Sequence, residues 1–185
     1  MQPLREFNKR NEEPMFDLSG PMPFADEVQT VLDSDYPVGM RYYWKSLFLD
    51  SLGDDVIGAV VKVNEKRPGV LSTVDIWQMG GAISEVGERQ SAFGGRHSPF
   101  LLGIESNWKQ PEKDAINIAW TRETVEEIQK FSNGAEYLNF PGFMENGEKI
   151  MKATFGSKYK RLAALKQKYD PDNLFCLNQN IRLEM

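Results

Sequence analysis

The sequence predicts an α+β domain, a mostly antiparallel sheet with helices covering one face. Short runs rich in aromatic and β-branched residues alternate with segments whose apolar residues recur every three or four positions. Their connections lack the short βα spacing of a doubly wound parallel sheet. The chain has 185 residues and is 41% hydrophobic, enough for a core without disulfides or metals, because a chain of this size hides roughly 70% of its unfolded surface.

The stretch through Pro23 reads as loop, interrupted by Pro3, Pro14, Gly20, Pro21 and Pro23 and lacking any period. A short helical pattern starts at Asp26, with Val28, Val31 and Leu32 on one face, and Pro37 and Gly39 close it. Arg41 to Leu49 reads as an aromatic-rich strand despite Lys45. Gly53-Asp54-Asp55 starts a helix carrying Val56, Ile57, Val60 and Val61, and Pro68-Gly69 breaks it. Val70 to Met79 is the second strand, stopped by Gly80-Gly81, and the polar stretch 84–98 is loop. Phe100 to Trp108 is the third strand, with Gly103, Glu105 and Asn107 on one face and Leu102 and Ile104 on the other. Pro111 sits where a helix takes an N1 proline. A helix of about 20 residues is expected to bury Ala115, Ile118, Val125 and Ile128 and to stop at Asn133-Gly134. Ala135 to Phe140 is a fourth strand, with Tyr137 and Asn139 on one face. A last helix carries Tyr159, Leu162, Leu165 and Tyr169 and ends before Pro171.

Composition removes several classes of function. With 22 basic and 27 acidic residues, the net charge of −5 offers no basic stripe for nucleic acid. One cysteine, Cys176, and one histidine, His97, cannot build a four-ligand zinc site or an intrachain disulfide. No apolar run approaches the ~20 residues of a membrane span. The charged first residues lack a signal-peptide core, so a cytoplasmic location is expected. Dinucleotide, P-loop and nucleophile-elbow motifs are absent from the sequence. His97, in a polar loop with no partner at fixed spacing, reads as a surface or packing residue. Gly80-Gly81 reads as a turn, or as a close approach to a planar ligand. Trp44, Trp77 and Trp108 are more rings than one small sheet face needs, which predicts an exposed aromatic surface and self-association.

From Tyr137 onward the sequence resembles a known family. Tyr137-x-Asn139, Phe155-Gly156, Arg161-Leu162, Lys166, Asp170-Pro171, Asn173, Phe175, Asn178-Gln179 and Ile181 fall, in order, on the C-terminal signature of the berberine-bridge-enzyme-like flavin oxidoreductases. Residues 21–24 (PMPF), YPVGMRYYWKSLFLDSL, WQMGGAISEV and SAFGGRHSPFLL resemble segments of that family's substrate domain. The resemblance implies a connecting segment over 1–25, a substrate-binding domain over 26–134 and a berberine-bridge-like segment over 135–185. It also implies FAD as cofactor, held mainly by an N-terminal domain or subunit whose linkage histidine and cysteine are not His97 or Cys176. The chain is then the C-terminal, substrate-binding portion of such an enzyme.

Carried over by residue, the resemblance makes Tyr137 an aid to proton removal and places Asn139, Asn178 and Gln179 near the flavin. Trp77, Gly103 and Phe140 are expected to line the substrate. Gly103 stands where several members carry a base, and Phe140 where many carry a second Tyr or a His. Glu105, on the same face as Gly103, either substitutes as base or is a solvated strand carboxylate. The expected activity is hydride transfer from an alcohol, sugar or amine-type carbon to flavin, the rival being a non-catalytic binding module.

Overall fold

The computed structural model describes residues 2–11, 20–34, 36–87, 90–143, 147–177 and 179–181. The chain forms two compact units, Met1–Val38 and Gly39–Met185. In the first, helix α1 spans Gln2–Asn11, and a π-helical turn at Phe24–Val28 runs into α2, Gln29–Ser34. The loop expectation therefore fails at α1. Pro3 falls in the first turn, where a missing N–H breaks no helical bond, and Lys9 and Arg10 face the negative end of the helix dipole. The second helical segment lies where it was predicted, but the side chains of Val28, Val31 and Leu32 are outside the described set.

The second unit is built on strands β1 (Arg41–Leu49), β2 (Thr73–Gln78) and β3 (Phe100–Trp108) in the order β1-β3-β2, all antiparallel. Its helices are α3 (Asp54–Asn64), α4 (Ala82–Glu85), α5 (Asp114–Ile128), α6 (Gly147–Phe155) and α7 (Tyr159–Tyr169). Gly53 precedes α3, and Pro111 opens a 3₁₀ turn that feeds α5, as their positions predict. The short helix α4 runs two residues into the stretch 84–98 expected to be loop, and no helix was expected where α6 forms.

The register sorts side chains onto two faces. Leu47, Leu49, Leu102 and Ile104 pack with Val56, Ala59 and Val63 of α3 and Trp120 and Ile128 of α5. The stripe that α5 buries is Asn117, Trp120, Thr121, Thr124 and Ile128, so Ala115 is exposed and Ile118 and Val125 only half-buried. Polar partners explain the rotation. Thr121 Oγ1 lies 2.8 Å from Ser106 Oγ, Asn117 Nδ2 donates to the Lys113 carbonyl at 2.8 Å, and Trp120 Nε1 donates to the Val63 carbonyl at 3.0 Å. These contacts account for Asn117, Trp120 and Thr121, whereas the buried Thr124 hydroxyl has no hydrogen-bond partner among the described residues.

The fourth strand does not form. Residues 132–142 instead follow the outer edge of β1 irregularly. Ser132 bridges Leu49, the Phe48 N–H donates to the Ala135 carbonyl at 3.2 Å, and the Gly142 N–H donates to the Trp44 carbonyl at 2.8 Å. Between them the buried Ser46 hydroxyl takes the place of ladder bonds, accepting from the Tyr137 N–H at 2.8 Å and donating to its carbonyl at 3.3 Å. A turn closed by the Phe140 N–H on the Tyr137 carbonyl (2.9 Å) interrupts the edge contacts just before Pro141, which has no N–H to give, and Gly142 resumes them.

The exposed aromatic surface also differs from expectation. Trp108 is buried and donates Nε1 to Asp114 at 2.7 Å, and half-buried Trp44 donates to Asn107 Oδ1 at 2.6 Å, leaving only Trp77 of the three exposed. Other exposed apolar groups are spread along the chain, from Tyr42 and Ile76 on the strands to Phe143, Tyr169, Leu174, Phe175 and Leu177 further on.

Candidate functional site

The face of the sheet turned away from α3 and α5 carries the candidate site. Trp44 lies directly opposite Glu105, Ser46 opposite Gly103, and Asp75 opposite Gly103 from the other side. One patch therefore gathers Trp44 from β1, Gly103, Glu105 and Asn107 from β3, and Thr73, Asp75 and Trp77 from β2. The turn after Tyr137 folds over it. The Phe140 ring lies 5.1 Å from Trp44, 5.7 Å from Trp77 and 5.3 Å from Tyr137, measured between centroids. Phe93 closes the lower end, 6.1 Å from Tyr137.

Gly103 has a steric role here. A Cβ at this position would lie 2.8 Å from the Trp77 ring and 3.2 Å from a Glu105 carboxylate oxygen. The missing side chain is thus the space that the Trp77 edge and the Glu105 carboxylate occupy. Glu105 is 1% exposed, so it is not a solvated strand residue. Thr73 Oγ1 donates to Asp75 at 3.2 Å, setting a second carboxylate on the same face.

Tyr137 and Asn139 do meet, through the turn rather than through strand alternation. Asn139 Nδ2 donates to the Tyr137 hydroxyl oxygen at 2.7 Å. Gln179 reaches back from the chain's end to donate to the Leu138 carbonyl, holding that turn from outside. Asn178 lies outside the described residues. Asp75 was not singled out from the sequence, and Trp44 and Asn107, noted there as a strand ring and a strand-face residue, were not assigned to the site. Only the strand register sets them beside Glu105 and Trp77, and no local pattern carries that register.

The Asp-Pro-x-Asn-x-Phe segment proves to be a self-tied arm. Asp170 accepts from Lys166, from the Leu174 N–H at 2.7 Å and from the Phe175 N–H at 3.1 Å, and Lys166 also donates to the Phe175 carbonyl at 2.9 Å. Asn173 adopts φ 53°, a left-handed conformation that asparagine tolerates, and its side-chain oxygen accepts from Asn180 Nδ2 at 3.0 Å. Lys166 first, then the two amides, hold the Asp170 carboxyl below its ordinary value. A carboxyl depressed in the folded state stabilises the arm fully above its unfolded value near 4, and that contribution is lost as pH falls through the lower folded value. Hydrogen exchange at the Leu174 and Phe175 amides is therefore expected to be slow at neutral pH and to lose protection below about pH 4. In Asp170→Asn the protection should be gone at every pH; retained protection would show that the arm is held by something other than this carboxylate.

One sheet face thus gathers the rings of Trp44, Trp77 and Phe140 with the Asp75 carboxylate and the enclosed carboxylate of Glu105. Comparison with known proteins gives the family. Residues 136–182 match the family described as "Berberine and berberine like". The chain is 30% identical over 155 residues to the FAD-linked oxidoreductase YvdP of Bacillus subtilis, covering 81% of this chain and 34% of that protein. It is 24% identical over 185 residues to the hexose oxidase of Chondrus crispus, covering 88% of this chain and 32% of that one. The solved structure of the BBE-like 1 protein of Physcomitrella patens superposes with a TM-score of 0.67 at 22% identity, over 78% of this chain and 31% of that one, which establishes a shared fold. The chain carries the berberine-like family segment at residues 136–182, is similar to berberine-bridge-like FAD-linked oxidoreductases, and spans about a third of the length of the relatives it matches.

Among the described residues no helix is long and apolar enough to cross a membrane, and no group of three or more His, Cys, Asp or Glu is placed to hold a metal.

Proposed function

We propose that the chain is the substrate-binding part of an FAD-dependent oxidoreductase that acts on an alcohol, sugar or amine-type carbon. The observation that carries this reading is the patch where Trp44, Trp77, Phe140 and Tyr137 meet Glu105 and Asp75 on one sheet face. Flat rings hold the apolar face of a ring-shaped substrate, and the carboxylates accept from its hydroxyl or amine groups. The name of the hexose oxidase relative supports a polyhydroxylated substrate among these classes.

The same face suits a planar aromatic cofactor, since its rings are flat. Asn139, Gln179 and, by resemblance, Asn178 would hold the edge of that cofactor. FAD, when bound, supplies the hydride acceptor. The chain's own residues do the rest. Trp77 and Phe140 fix the substrate and exclude water from above the sheet. In its phenolate form Tyr137 would take the proton from the substrate's hydroxyl or amine and become the neutral phenol, and the Asn139 N–H donated to its oxygen steadies the phenolate before the transfer. Glu105, buried beside Gly103, orients the donor group and is the alternative proton acceptor.

The test is flavin uptake and reduction. The chain alone is expected to stay colourless with added FAD, whereas its assembly with an FAD-binding domain of the family becomes yellow. Anaerobic addition of hexoses, benzylic alcohols or cyclic secondary amines to that assembly should bleach the flavin band with at least one class. Tight stoichiometric FAD in the chain alone would overturn the two-part arrangement. A loaded assembly that none of the three classes bleaches would leave the non-catalytic module standing.

A further inference from the structure

Behind the 91–98 loop, away from the sheet-face site, two adjoining clefts gather positive charge. The larger, about 530 Å³, has Gln90, Ser91, Lys158 and Arg161 on its walls and Leu162 and Leu165 along one side. The smaller, about 210 Å³, shares Lys158 and adds Arg96 and His97. No carboxylate lines either cleft among the described residues. Two other clefts of the same unit mix their signs: Lys62 and Lys66 face Glu123, Glu126 and Glu127 in one, and Lys45, Arg122 and Lys149 face Glu126 and Glu136 in the other. In a chain of net charge −5, cations from two sequence-distant segments that share clefts with no carboxylate among the described residues call for an anion.

The hydrogen bonds point the same way. Arg96 is held by its Nη1 on the Ile83 carbonyl at 3.2 Å and its Nη2 on Ser91 Oγ at 3.1 Å, while its Nε is buried with no acceptor among the described residues. A buried guanidinium N–H without an acceptor is costly unless a ligand supplies one. Lys158 Nζ spends one of its three donor positions on the Phe93 carbonyl at 2.9 Å. Donors approach from both walls and include hydroxyls. That arrangement suits a tetrahedral, doubly charged phosphoryl head better than a planar carboxylate, which a single arginine fork satisfies. The leucine side gives room for an organic body.

We propose that this paired cleft binds a small phosphate ester, its phosphoryl head between Arg96, Lys158 and Arg161 and its apolar body against Leu162 and Leu165. The chain is titrated calorimetrically with phenyl phosphate, inorganic phosphate and benzoate, and the same ligands are followed by thermal melting. Phenyl phosphate is expected to saturate and to raise the melting temperature, with inorganic phosphate weaker and benzoate weakest. Arg161→Gln, an exposed position at the rim, should weaken phenyl phosphate binding roughly tenfold or more through loss of one charge-assisted contact. Lys62→Gln, in a mixed-charge cleft, should leave it unchanged. Adding FAD settles the source of the phosphoryl group: displacement of phenyl phosphate assigns the cleft to the cofactor's diphosphate, and no displacement assigns it to a separate ligand. Absence of saturation in the millimolar range, benzoate binding as tightly as phenyl phosphate, or equal effects of Arg161→Gln and Lys62→Gln would each overturn the proposal.

Discussion

Tyr137→Phe in the FAD-loaded assembly is expected to slow anaerobic flavin reduction by roughly 10²-fold or more, the size of a lost acid–base group. The substitution keeps the ring that packs on Phe140 and Phe93 and removes only the hydroxyl that accepts from Asn139. Folding should be nearly unchanged, because Tyr137 is tied to β1 through its backbone and Ser46, and neither bond involves the phenol. Stopped-flow reduction by substrate reads the rate directly. Glu105→Gln is the companion measurement, since the amide keeps the shape of a side chain that is almost wholly enclosed. A full rate in Tyr137→Phe together with a slowed Glu105→Gln would transfer the proton to Glu105. Full rates in both would place the base outside this face.

Gly95→Ala is expected to destabilise the chain by about 3 kcal/mol, combining overpacking with a strained backbone. Gly95 has φ +77°, a left-handed conformation that side chains rarely adopt, and a Cβ there would lie 2.3 Å from the Phe48 ring. Phe48 has no exposed surface and is packed by Met79, Leu101 and Ala135, so it cannot move aside. For a unit of this size the melting temperature should fall by roughly 6–12 °C. Gly58→Ala is the control. Position 58 lies on the solvent side of α3 with nothing within 4 Å of a new Cβ, and alanine there should add about 0.5–1 kcal/mol of stability. Equal melting temperatures for Gly95→Ala and the parent protein would show that the 91–98 loop is not fixed on Phe48.

The contrast between these two glycines marks the limit of what the sequence carries. Strands β1 and β3 are legible to the residue, because aromatic and branched side chains concentrate there and glycine or proline flank them. Helices α3, α5 and α7 are legible from their starts and stops. What fails is anything decided by a distant partner. The stripe of α5 is set by Ser106 and the Val63 carbonyl, and the edge segment 132–142 by the hydroxyl of Ser46. α1 was hidden by Pro3, a helix breaker everywhere except the first turn. Within the site, Tyr137, Glu105 and Trp77 were named by resemblance, while Asp75 and Trp44 needed the register. The structure assembles the named residues on one face, and their roles there rest on the experiments above.

The strand order also sets the timing of assembly. The central strand is the last of the three along the chain, so no part of the sheet forms until residues 100–108 are available. Pairing β2 with β3 closes a loop of roughly 20 residues, whereas β1 must close one of roughly 50, so the shorter closure has the smaller entropic penalty and comes first. Until then the run Tyr42-Tyr43-Trp44 and Leu47-Phe48-Leu49 has both edges bare, and a nascent or refolding chain is most open to intermolecular pairing at that stage. The strand that later lies beneath the candidate site is thus also the one that waits longest for its partner.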